Sequence, residues 1–315
     1  MRILLDSNIW RYIIDDGALP AVQKAARKSR HAIAVAPAVL YEAAHTRDKT
    51  LRNALLSAMA LPVWKRLMPE AYQEAEEIKA EVRRLRAEWL QPEPDVAWFN
   101  RVRHDWGRSR GGVWDRIRDE AELLQQHDAE MKQRARDQAY ALREDALSWS
   151  PRWRTAPLTK TLASLPSPQP GWNGEPFEPW RFDGLAVFDN AMATKGHPLF
   201  DWLGGEVDLN LMQFQVSSLV KFWLHDIETH RMPRHWLRWG FEFLQRLHRV
   251  TEGTPVDTQL GTYLIDVELM LSADKNLVYI AERCRADAPF PVAESRVVPG
   301  GASAVQAVLG ALEAT

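Results

Sequence analysis

The chain opens on Ile3-Leu4-Leu5, consecutive apolar residues that read as a short strand buried on both faces, as inside a parallel sheet. Two similar runs follow, Ala32–Ala36 and, far along the chain, Leu269–Ser272. Val297-Val298, just ahead of Pro299-Gly300-Gly301, predicts a last edge strand. Elsewhere the apolar spacing is helical. Trp10–Ile14 and Ala21–Lys28 read as helices parted by the Asp15-Asp16-Gly17 turn and Pro20. Ser7 and Asn8 are placed to cap the first of them. Ala38–His45 follows with Pro37 in the first turn, where a missing N–H costs nothing. From about Thr50 to Ala146 the patterns are long and helical: Ala71–Leu90 with opposite charges one turn apart, then Val96–His104 and Val113–Asp145. Ser148–Pro179 is crowded with proline and reads as an extended wrapper pinned by Trp149, Trp153, Trp172 and Trp180. Phe182–Ala193, Leu209–Glu228, Trp236–Val250, Asp257 to about Val267, Lys275–Arg285 and Ala302–Leu312 complete the helices.

With 315 residues the chain can bury a full core, as one large domain or one domain carrying an insertion. An apolar share of 46%, a charged share of 26% and a mean hydropathy of -0.36 describe a soluble globular protein. No apolar run approaches the roughly 18 residues that span a bilayer, and Asp6 cuts the first apolar stretch too short for a signal peptide. The single Cys284 excludes an intramolecular disulfide and a cysteine-based zinc site. A cytoplasmic location and no membrane partner are expected. Lys and Arg number 40 against 42 Asp and Glu, so the net charge of -2 neither favours nor excludes nucleic acid. Local clustering does better: Arg101, Arg103, His104, Arg108 and Arg110 surround Trp98, Trp106 and Trp114, a mixture suited to phosphates and unstacked bases. Asp105, Asp115, Asp119 and Glu120 dilute it, and a solvated face over core tryptophans competes. His225, His230 and His235 step about 140° apart round a helix, which argues against a shared metal.

Four acids recur in matching contexts. Asp6 ends the first strand, Asp274 follows the strand Leu269–Ser272, Asp257 begins a helix, and Glu42 lies early in a helix after a strand. Each has a plainer role: a cap for the aspartates, a wet helix stripe for Glu42. Asp266 falls half a turn away from Asp257 and is left out. In a parallel sheet the carboxyl ends of neighbouring strands converge on one edge. Four carboxylates there would repel unless a divalent cation joined them, and oxygen-only ligation selects Mg²⁺ or Mn²⁺ over zinc.

On Ile3-Leu-Leu-Asp-Ser-Asn-Ile9, Val35-Ala-Pro-Ala-Val-Leu-Tyr-Glu42, and Asp257-Thr-Gln-Leu-Gly-Thr-Tyr-Leu264 running to Leu271-Ser-Ala-Asp-Lys-Asn276, the sequence resembles the PIN-domain nuclease family. The resemblance implies a three-layer α/β fold with a mostly parallel sheet, built from residues 1–50 and 234–315. Residues 51–233 would be a largely helical, Pro/Trp-rich insertion. It implies metal-dependent endoribonuclease chemistry, with Asp6, Glu42, Asp257 and Asp274 as catalytic ligands of Mg²⁺ or Mn²⁺. Ser7 and Ser272 would be supporting hydroxyls. Asn276 stands where some members carry a further acid. RNA is the implied partner. Small members are often toxins held by a partner protein, so an inhibitory or regulatory protein, and a homo-oligomer, are further expectations, although the long insertion argues against a simple toxin. Two other readings compete: a non-catalytic PIN-like assembly module, and a structure-specific DNA nuclease. A phosphatase of the haloacid dehalogenase type wants an acid at position 8, which is Asn8.

Overall fold

The computed structural model describes residues 1–108, 110–122, 156–194, 196–247 and 254–313, together with 137, 140, 141, 143, 144 and 146. Five strands, β1 (Arg2–Leu5), β2 (Ala32–Val35), β3 (Lys65–Arg66), β4 (Leu269–Ser272) and β5 (Glu294–Val297), make one all-parallel sheet in the order β3-β2-β1-β4-β5. The chain is therefore of the α/β class. Ile3, Leu4 and Leu5 have no solvent exposure, as a central parallel strand covered on both faces requires. Leu4 pairs with Ala34 on one side and Met270 on the other.

Helices α1 (Ser7–Asp15) and α2 (Leu19–Lys28) carry the chain from β1 to β2; α3 (Pro37–Ala44) and α4 (Lys49–Met59) carry it to β3. A long helical excursion follows: α5 (Glu70–Leu85), α6 (Val96–Gly107), α7 (Val113–Asp119), α8 (Pro179–Ala193), α9 (Pro198–Leu203), α10 (Leu209–Phe214), α11 (Val216–Lys221), α12 (Pro233–Gln245) and α13 (Thr254–Thr262). Helix α14 (Lys275–Asp287) joins β4 to β5, and α15 (Ala302–Glu313) closes the chain against α1 and α2. Order runs outward from β1 in both directions, so the crevice between the carboxyl ends of β1 and β4 is the topological switch point, where such sheets keep their ligands.

Helix α12 ties the excursion to the sheet. The Arg234 guanidinium reaches Asp266 (2.9 Å) and the Thr262 carbonyl (2.9 Å), while its backbone N–H meets the Glu77 carboxylate of α5. Asp266, set aside on helical geometry, is thus the far anchor of this clasp. Lys79 on α5, fully buried, is held by Glu76 and Glu206 and sits over the Phe99 ring. Buried charges of this kind survive only when paired.

Several sequence expectations are corrected. The sheet layer does not stop at residue 50: α4 buries Leu55, Leu56 and Met59, and β3 pairs with β2 through Val35 and Arg66. Two basic residues between Trp64 and Leu67 are too few to show alternation, which is why β3 leaves no sequence signal. The helix expected over 209–228 is broken into α10, α11 and a π-turn at Phe222–Asp226. The edge strand is Glu294–Val297, three residues earlier than expected. Helix α7 ends at Asp119, and the remainder of the helix expected to Asp145 falls mostly outside the described residues, as do Trp149 and Trp153. Trp180 is fully buried, in keeping with its anchoring role. Among the described residues, no helix is long and apolar enough to cross a membrane.

Candidate functional site

Asp6 leaves β1 with its backbone N–H bonded to the Leu271 carbonyl of β4, which fixes it at the switch point (3.1 Å). It is the N-cap of α1, its plainer role, while Ser7 and Asn8, also placed as caps from the sequence, lie in the first turn of the helix. Its Oδ1 accepts the Ser7 backbone N–H at 2.7 Å. Its Oδ2 accepts the Ser272 hydroxyl at 2.6 Å and the Asn8 side-chain amide. Asn8 also donates to the Ser272 hydroxyl (3.3 Å) and accepts the Ala273 backbone N–H (3.0 Å). Ser272 in turn accepts the Asp274 N–H at 2.9 Å. Asp6, Asn8 and Ser272 therefore lock the ends of β1 and β4 together. Asn8 is the residue the sequence reading missed as a site member: its type alone signals only a cap, and the partner lies 264 positions away.

Asp274 is exposed and caps α14, its Oδ1 accepting the N–H groups of Asn276 (2.7 Å) and Leu277 (3.1 Å). Oδ2 takes no part in that cap. The plain capping role of both aspartates is thus real, and it holds each carboxylate in a fixed orientation. Asn276 contributes its backbone N–H. Ser7 likewise acts on Asp6 through its backbone, whereas Ser272 supports Asp6 through the hydroxyl as expected.

Glu42 lies half-buried on α3, whose other positions Ala38, Val39, Leu40, Ala43 and Ala44 are core. Helix α3 packs against α13, the helix that carries Asp257. Burial and the surrounding carboxylates of Asp6, Asp274 and Glu42 push the Asp257 carboxyl up to about 8. Asp6 is also raised, by burial first and less by Asp274, against the lowering pull of its Ser272, Ser7 and Asn8 hydrogen bonds. Asp6, Asp274 and Glu42 thus each act on the Asp257 carboxyl. Among the described residues, no group of three or more His, Cys, Asp or Glu side chains stands close enough to hold a metal ion.

Compared with protein-family models, curated proteins and solved structures, the chain matches none.

The basic and aromatic stretch resolves differently from the acids. Arg101, Arg103, Arg108 and Arg110 are exposed, but Arg108 is drawn to Asp105 (3.1 Å) and to the Gly111 carbonyl. Trp114 is fully buried, donates its indole N–H to the Trp106 carbonyl (3.1 Å) and lies under the Arg66 guanidinium. It is a core residue and has no face left for a base. His235 is buried against Glu77, and His225 accepts the Asn173 N–H, so the three spaced histidines do not gather.

Proposed function

We propose that the chain is a metal-dependent nuclease with a PIN-like fold, cutting RNA phosphodiester bonds at the carboxyl edge of its sheet. One observation carries this: Asp257 is buried beside the switch-point strands, and the carboxylates of Asp6, Asp274 and Glu42, from three other parts of the chain, add to that burial in favouring its protonated form. A protein gains nothing in stability from such crowding, since like charges and burial both oppose ionisation. Charge-shifted groups in a crevice are the ordinary mark of a working site.

The donor set fits a hard divalent cation, Mg²⁺ or Mn²⁺, because every donor is an oxygen and a cation would take the place of the proton that Asp257 holds. Asp6, Asp274, Asp257 and Glu42 would hold it. Bound there, the ion supplies a nucleophile by lowering the pKa of water and neutralises charge developing on the phosphate. The chain's own part is orientation. Ser272 and Asn8 fix the Asp6 carboxylate, the α14 N-terminus fixes Asp274, and α12 braces the helix of Asp257. On this reading the insertion begins after β3, and residues 1–66 and 233–313 form the nuclease layer.

The competing assembly-module reading draws on the absence, among the described residues, of three acids already within reach of one ion. A single experiment divides the two. Purified protein with Mn²⁺ or Mg²⁺ is expected to cleave labelled RNA, and Asp6→Asn combined with Asp274→Asn to abolish both cleavage and calorimetric Mn²⁺ binding. Undiminished cleavage by that variant rejects the nuclease assignment. Cleavage of DNA but not RNA by the wild-type chain would keep the chemistry and change the substrate.

A further inference from the structure

Away from the acids, α4 and the segment from α7 to Glu122 enclose a cleft of about 580 Å³ lined by Lys49, Arg52, Asn53, Ser57 and Arg118. Its floor is Arg52, only 5% exposed. One guanidinium nitrogen donates to the Thr46 carbonyl (2.9 Å) and another to the Glu122 carboxylate (3.3 Å), while Nε is buried without a partner. The Lys49 ammonium lies 2.8 Å from the same oxygen of Glu122. An unpartnered buried guanidinium N–H is costly, and it signals a missing acceptor. Asn53 and Ser57 stand exposed on the next turns of α4 and add polar donors along the rim. Acids also line the cleft: Asp119, Glu120 and Glu122. Arg118 is taken up by Asp119 (2.8 Å) and Asp115 (3.0 Å), and Glu122 is the acid that meets Lys49 and Arg52.

We propose that this cleft seats a backbone phosphate of single-stranded nucleic acid, with the Glu122 carboxylate holding the place when no strand is bound. One oxygen shared between a lysine and an arginine is the arrangement a phosphate oxygen takes. The Glu122 side chain is more than half exposed, so its ion pairs are weak and readily exchanged. The entering phosphate takes the place of Glu122 on the Lys49 ammonium and the Arg52 guanidinium. The cleft also adjoins the helix of Glu42 through α7. Helix α4 follows the helix of Glu42 after a short loop, and α7 packs against both. The proposal rests on the nucleic-acid reading above, but its test does not depend on cleavage.

The test is fluorescence anisotropy with a short labelled single-stranded RNA, and a DNA of the same sequence, in EDTA over a range of salt. Lys49→Gln is expected to weaken binding roughly fivefold and to flatten the slope of log affinity against log salt by about 0.7. Glu122→Gln is expected to tighten binding about threefold by removing the competing carboxylate. Both changes are at surface positions and leave the core intact. RNA and DNA should respond alike, because a phosphate contact does not read the sugar. Wild-type affinity in either variant, or no binding by the wild-type chain, overturns the proposal. If the variants bind normally while the wild type still cleaves, the cleft fails and the nuclease assignment stands. If binding depends on Lys49 and Glu122 but no metal brings cleavage, the cleft stands and the nuclease assignment fails.

Discussion

Asp257 shows at the scale of one residue what the site costs. Its carboxyl has an ordinary value of 3.8 and is pushed up to about 8 in the fold. Between those limits the metal-free folded chain keeps a proton that the unfolded chain releases, so stability falls as pH rises through that window and levels off above it. Melting temperature in EDTA is therefore expected to drop from mildly acidic pH towards pH about 8, and Asp257→Asn to flatten the drop. Mn²⁺ should restore more stability at the alkaline end than at the acidic end, since it competes with the proton. A pH-independent melting curve of the wild-type protein in EDTA would contradict this account. Asp257 could be singled out from its place at a helix start; the size of its perturbation could not, because that depends first on burial and then on acids brought from positions 6, 274 and 42.

Among the elements, the contact between α12 and α13 decides how Asp257 is presented. Gly261 sits four residues after Asp257 on the same side of α13, and a Cβ there would meet Phe241 ring carbons of α12 at 2.6 Å. Thr258, beside Asp257, donates its hydroxyl to the Gln245 side chain of α12 at 2.7 Å inside the same interface. Gly261→Ala is expected to pry the helices apart, at a cost of about 1–3 kcal/mol in denaturant unfolding, and to weaken Mn²⁺ binding through the displaced Asp257. Unchanged stability would mean that Phe241 can turn aside. The helical period made α12 legible from Trp236 onward, and the acid-bearing helix from Asp257. Their mutual packing was not legible, because a glycine's lack of a side chain becomes meaningful only once its neighbour is known.

For the whole molecule, β1 pairs with β2 about thirty residues later and with β4 more than two hundred and sixty residues later. The helical excursion cannot simply be cut at the boundary the sequence implied. Joining residue 50 to residue 234 removes β3 and α4, with the buried Leu55, Leu56 and Met59. It also strips Glu77 and Glu74 from Arg234 and Arg238, and orphaned buried charges are strongly destabilising. Such a deletion is expected to lose cooperative thermal unfolding by circular dichroism; a sharp melt would show that the two ends fold alone. The sequence by itself determined the buried strands β1, β2 and β4, because a strand covered on both faces must be apolar throughout. It also determined that Asp6 and Asp274 stand at strand ends. Only the tertiary structure decided that those ends adjoin, that Asn8 and Ser272 bind them, that Trp114 is core and that β3 belongs to the sheet. Hydrogen-bond partners and burial depend on what the rest of the chain brings alongside, and short polar segments carry no periodic trace of it.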